Sequence, residues 1–109
     1  MDIFTTKPVR EIEATALRLA LLNKEIKVSP HALDHLSQKQ RKVFKEEDIL
    51  HMTQREEPRK VYVQRNGRYA CYYRKSDGYR KLIIEIGKTV TIITFMDISE
   101  LPRVRFEHE

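Results

Sequence analysis

The stretch from residue 59 to residue 96 leaves this chain little freedom. Three turn signals, Arg65-Asn66-Gly67-Arg68, Ser76-Asp77-Gly78 and Gly87-Lys88, divide it into segments of strand length. The segments 59–65, 69–75, 79–86 and 89–96 are rich in Val, Ile, Tyr and Thr, residues that suit a pleated, half-buried surface. Asn-Gly is the strongest short hairpin signal. Joins of two or three residues allow only antiparallel neighbours, because a parallel crossover needs a dozen residues or more. The stretch therefore predicts a four-stranded antiparallel meander.

The faces of that sheet follow from the turns. A two-residue turn at Asn66-Gly67 pairs Arg65 with Arg68, Val63 with Ala70 and Val61 with Tyr72, and puts the apolar pairs on the core face. Lys60, Tyr62, Cys71 and Tyr73 then take the opposite face. A three-residue turn at Ser76-Asp77-Gly78 pairs Tyr72 with Leu82 and brings Leu82, Ile84 and Ile86 to the core side. A slip of one residue would exchange the faces. The last two strands are apolar on both sides. They are central, or a partner covers their second face.

The chain before the meander reads as helical cover. Pro8 fits a first helical turn, and Val9, Ile12, Ala16, Leu19 and Leu22 recur at helical spacing to near Asn23. Ile26-Lys27-Val28 suits a short strand. Ser29 caps, and Pro30 opens, a second helix running from His31 to about Lys39. A polar connection at 38–42 follows. Glu46, Glu47 and Asp48 then complement the dipole of a third helix ending near Gln54, with Ile49, Leu50 and Met52 inward. Beyond Asp97, Pro102 and alternating charge predict a partly mobile tail. The expected fold is α+β: one domain over 1–109, a helical part at 8–54, a sheet at 59–97 and a tail at 98–109.

Charge and cysteine usage narrow the function. There is no apolar run of 18 residues and no signal-peptide pattern at Met1-Asp2-Ile3-Phe4, so a soluble, cytoplasmic protein without a membrane partner is expected. The lone Cys71 excludes an internal disulfide and zinc ribbons, and nothing marks it as a nucleophile. The net charge of +5 is concentrated: residues 55–81 carry nine basic and three acidic groups, whereas 82–109 carry three and five. Such a local field attracts polyanions, RNA among them. The same cations would also blunt a solvated sheet edge.

The segments Val28-Ser29-Pro30-His31-Ala32, Arg41-Lys42-Val43-Phe44 and Glu46-Glu47-Asp48-Ile49, with Thr91-Ile92-Ile93-Thr94 as a final strand, resemble the DUF4258 family. Such proteins are similar to the RelE and BrnT toxins, small α+β ribonucleases of toxin–antitoxin systems. The resemblance covers about residues 26–97. It implies a RelE/barnase-like fold, a metal-independent endoribonuclease, RNA as substrate and an antitoxin protein as partner, with no cofactor. His31, at a helix start, is the candidate general acid–base, because imidazole is the side chain suited to proton transfer at neutral pH. Arg74 and Lys81 are candidates to hold the phosphate. Arg65, Arg68 and Arg80 would extend the contact, and Tyr73 or Tyr79 would stack on a base. His31 and His35 alone are too few ligands for a metal. The alternative is a non-catalytic module that binds nucleic acid or a protein through the same basic sheet.

Overall fold

The computed structural model describes residues 3–34 and 45–106. The expected continuation of the second helix to Lys39, the connection at 38–42, the segment 41–44, His35 and His108 lie outside the described residues.

The Asn66-Gly67 hairpin fixes the register of the sheet, and it does so through three loop residues. Gln64 N–H donates to the Arg68 carbonyl at 2.8 Å, and Gly67 N–H donates to the Gln64 carbonyl at 2.9 Å. The Asn66 side-chain oxygen accepts from Arg68 N–H at 2.9 Å. A two-residue turn of the expected kind needs positive φ at both central residues. Gly67 has it, at φ +86°, and Asn66 does not. The strand Lys60–Gln64 (β3) therefore meets Tyr69–Lys75 (β4) one residue away from the expected register: Val61 opposes Cys71 and Tyr62 opposes Ala70.

The next join is also corrected by one. Lys75 pairs with Gly78 and Cys71 with Leu82, so Ser76 and Asp77 form a two-residue loop into Gly78–Ile86 (β5). The two corrections cancel beyond β4. Val61, Leu82 and Ile84 face the core as expected, but β4 is turned over. Cys71 and Tyr73, not Ala70 and Tyr72, lie beneath the helices.

Among the described residues the sheet has six strands, not four, in the order β1-β3-β4-β5-β6-β2. Val90–Ile98 (β6) completes the meander, with a bulge where Ile83 opposes Thr94 and Ile84 opposes Ile92. Ile26–Val28 (β2) adds to β6 in parallel and makes the sheet mixed. The segment expected to open the first helix is instead an edge strand, Pro8–Ile12 (β1), antiparallel to β3. Proline is tolerated at the start of an edge strand. A register irregularity between Pro8 and Arg10 breaks the two-residue period, which is why Val9 and Ile12 read as helical. Helix α1 is only Ala14–Leu21.

Helices α1, α2 (Pro30–Asp34) and α3 (Glu46–Arg55) cover one face. Leu17, Leu21, Ala32, Ile49 and Met52 are buried there against Val61, Cys71, Tyr73, Leu82, Ile84, Val90, Ile92 and Phe95. The Ser29 hydroxyl caps α2 by accepting from His31 N–H at 3.2 Å. The Cys71 thiol is fully buried, and burial pushes its pKa up. Among the described residues, no helix is long and apolar enough to cross a membrane.

The described part of the tail, up to Phe106, packs on the other face. Leu101, Val104 and Phe106, with Ile83 and Ile98, pack on Tyr62, Ala70 and Tyr72. The Phe106 ring centroid lies 6.0 Å from that of Tyr62, and Tyr62 meets Tyr72 edge-on at 5.9 Å.

Two glycines should answer differently to substitution. Gly78 has φ +151°, and a Cβ there would collide with the Ile98 carbonyl oxygen at the end of β6. Gly67 has open space around it. Gly78→Ala should cost about 2–4 kcal/mol in chemical denaturation. Gly67→Asn should cost less than about 1 kcal/mol, because Asn tolerates the left-handed region. Equal costs would contradict the close approach of β5 to β6.

Candidate functional site

Strands β4 and β5 turn Tyr72, Arg74, Tyr79 and Lys81 away from the helices. Arg74 and Tyr79 are cross-strand partners. The Arg74 guanidinium donates to the Tyr79 hydroxyl at 3.2 Å and lies 5.2 Å from the centre of its ring. Lys81 opposes Tyr72, with its ammonium 5.7 Å from the ring centroid. Burial holds the Lys81 pKa below the usual lysine value. Among the described residues, no carboxylate pairs with it. Burial pushes the Tyr72 hydroxyl up to about 12, so this phenol stays protonated at neutral pH.

A cleft of about 320 Å³ opens beside Lys81, lined by Lys7, Pro8, Tyr72, Lys81, Pro102, Arg103, Val104 and Arg105. Four cations reach it from three separate segments: the residue before β1, the middle of β5 and the tail. Among the described residues, no carboxylate lines it. Two backbone bonds hold Lys7 in place. Arg65 N–H donates to the Lys7 carbonyl at 2.9 Å, and Asn66 N–H donates to the Thr5 carbonyl at 2.8 Å. Arg65 also borders a shallow hollow shared with Lys7, Pro8 and Val9, which extends the positive surface toward the hairpin where Arg68 stands.

Other expected site residues are placed elsewhere. Tyr73 is 1% exposed under the helices, so its ring offers no face to a base. Arg80 also points to the helix side. It grips Asp97 through two hydrogen bonds, at 2.7 and 3.2 Å. Lys75 joins at 3.0 Å from both Asp97 and Asp77. Burial alone would raise the Asp97 pKa, but the hydrogen bonds from Arg80 and Lys75 outweigh it and hold the carboxyl below its usual range. Tyr79 remains half-buried at the surface, engaged with Arg74.

His31 is exposed on α2, in the helical layer. Arg74 and Lys81 project from the opposite side of the sheet. The sheet thus lies between the expected acid–base and the expected phosphate ligands, and the three are not brought together. Among the described residues, no group of three or more His, Cys, Asp or Glu side chains is placed to hold a metal.

Reading the sequence missed Lys7, Arg103 and Arg105. Lys7 directly precedes Pro8, which was expected in a first helical turn, and the arginines fall in a stretch that is acidic on balance. The alternation Arg103-Val104-Arg105-Phe106 was the available signal. It is the pattern of an extended segment with one face packed and the other charged.

No family model matches this chain, and no curated protein or solved structure matches it.

The Asp97 cluster gives a pH test of this geometry. Asp97→Asn should cost about 1 kcal/mol near neutral pH, the range left to a partly exposed pair after solvent screening. A carboxyl with a lowered folded-state pKa contributes stability above its unfolded value, and that contribution is lost as pH falls through the lowered one. The gap between wild type and variant, read from urea midpoints, should therefore close from about pH 4 downward. A gap independent of pH would mean that Asp97 acts through packing alone.

Proposed function

We propose that the protein binds nucleic acid, single-stranded RNA in the first place, through the sheet face turned away from the helices. The observation that supports this most is the convergence of Lys81, Arg103 and Arg105, with Lys7 beside them, on one cleft that no carboxylate lines among the described residues. An anionic ligand relieves their repulsion and replaces the water that Lys81 has lost. Arg65 and Arg74 flank the cleft as further backbone contacts, and the exposed part of Tyr79 offers a stacking surface. The sequence resemblance to the DUF4258 family and RelE-like ribonucleases points to the same ligand class. Cleavage and an antitoxin partner rest on that resemblance alone. Binding is the reading carried here, because His31 lies across the sheet from the cationic cleft.

Fluorescence anisotropy with a labelled single-stranded RNA tests the proposal. Four phosphate contacts should give a slope of about −3 in log affinity against log salt, since each contact to a single strand contributes roughly −0.7. Reversing Lys81 and Arg103 together to Glu should nearly abolish binding at low salt. Reversing Arg18 and Arg55, both exposed on helices, should change it little. Equal losses from the two pairs would defeat the assignment of this face.

A further inference from the structure

Two turns of this chain pair an asparagine or aspartate with a following glycine, Asn66-Gly67 and Asp77-Gly78, and the fold treats them in opposite ways. The backbone nitrogen of the glycine can attack the side-chain Cγ before it and close a cyclic imide. Glycine favours this step, because it has no side chain to crowd the nitrogen and lets the peptide turn freely. Asn66 and Gly67 are both exposed, between the end of β3 and the start of β4. A Cβ on Gly67 would meet nothing within 4 Å. The Asn66 side-chain oxygen accepts from Arg68 N–H at 2.9 Å. That donor stabilises the charge the oxygen gains when Cγ is attacked. The attacking nitrogen is restrained by the bond from Gly67 N–H to the Gln64 carbonyl at 2.9 Å, at an exposed hairpin tip where such bonds open readily.

Gly78 is buried and paired with Lys75 in the β4–β5 ladder, and the Ile98 carbonyl occupies the place of its missing Cβ. Its peptide has no room to turn. The Asp77 carboxylate pairs with Lys75 at 3.0 Å, a contact that holds it ionised and below its usual pKa. An ionised carboxylate resists attack by a nucleophile. The chain's other asparagine, Asn23, precedes Lys24, whose side chain is fixed on the Gly87 carbonyl at 2.6 Å.

We propose that Asn66 is a site of deamidation in the folded protein, while the same fold protects Asp77 from the matching isomerisation. The Gly67 nitrogen gives its proton to hydroxide and bonds to the Asn66 Cγ. The Cγ–Nδ2 bond breaks, and the amide nitrogen takes a proton from water and leaves as ammonia. Water then opens the imide. Opening at the side-chain carbonyl leaves aspartate at 66, and opening at the main-chain carbonyl leaves an isoaspartyl link. Either product sets a carboxylate between Arg65 and Arg68, on the positive surface proposed to meet RNA. The isoaspartyl link also adds a carbon to the main chain between two bonds of the hairpin: Asn66 N–H to the Thr5 carbonyl at 2.8 Å, and Gly67 N–H to the Gln64 carbonyl.

The full chain would be aged at neutral and mildly alkaline pH, folded and in urea. Peptide mass spectrometry with isoaspartyl-specific methylation reads each site. The rate at Asn66 in the folded chain should lie within about 100-fold of its own rate in urea, the cost of opening one or two exposed hydrogen bonds. It should rise with pH, because the nitrogen must lose its proton. Asp77 should form isoaspartate in urea and none in the folded chain over the same period. Asn66→Ser keeps an acceptor for Arg68 N–H but cannot close the imide. Shown folded by thermal melting, it should age without the less basic species that cation exchange resolves in the wild type. A folded-chain rate at Asn66 more than about 100-fold below that in urea overturns the proposal, since the hairpin then shields the site. Silence in both conditions overturns it too. Asp77 reacting at the same fraction of its urea rate as Asn66 removes the selection by the fold. Persistence of the less basic species in Asn66→Ser places the change elsewhere.

Discussion

Strand β4 is buried from both sides, and the rest of the molecule is arranged to meet that demand. Cys71 and Tyr73 need cover on one face, Ala70 and Tyr72 on the other. An antiparallel sheet with one wet face would leave two tyrosines and their neighbours in water. The helices answer the first demand. Leu101, Val104 and Phe106 answer the second, and a tail of alternating residues can do so only in an extended conformation. Its packed side chains fix where Arg103 and Arg105 must go. The cationic cleft is thus a by-product of covering the second face of β4.

Much of this was legible in the sequence, and the failures have identifiable causes. All four meander strands, β2 and α3 lie within a residue or two of their expected bounds, because turn residues and β-branched runs are local signals. Register was not legible at this precision. Whether Asn66-Gly67 makes a loop of two or three residues depends on the φ of Asn66, which its identity leaves open. β1 was misread because its irregular pairing spaces Val9 and Ile12 like a helix. The α+β class survived these errors, since it depends on the meander and on the helices, not on which way β4 faces.

Counting charges by segment located the basic surface only in part. The arginines and lysines of β4 and β5 divide between two faces, and counting cannot see the division. On the helix side, Arg80 and Lys75 are neutralised by Asp97 and Asp77. On the other side, Arg74 and Lys81 meet tyrosines. The lone aspartate of β6 thus marks the face whose cations are paired, and the opposite face holds the cations that meet tyrosines. Tyr73 and Arg80 were assigned to the site for the same reason that Arg103 and Arg105 were passed over: local composition carries no information about which side of a sheet a residue takes.

The cleft joins residue 7 to residues 103–105, and Lys81 stands between them. Contacts of such long sequence separation close late, after the strands between them have paired. A nascent chain emerging from a ribosome would carry β1 and most of the sheet without the cleft. The site would come into being only once residue 105 is free to fold back across Tyr72. A ligand bound there as proposed would draw on the completed domain, and by mass action it would stabilise the docked tail together with the sheet beneath it. An incomplete or frayed chain would lack the cleft, so occupancy of the proposed site would report the integrity of the whole fold.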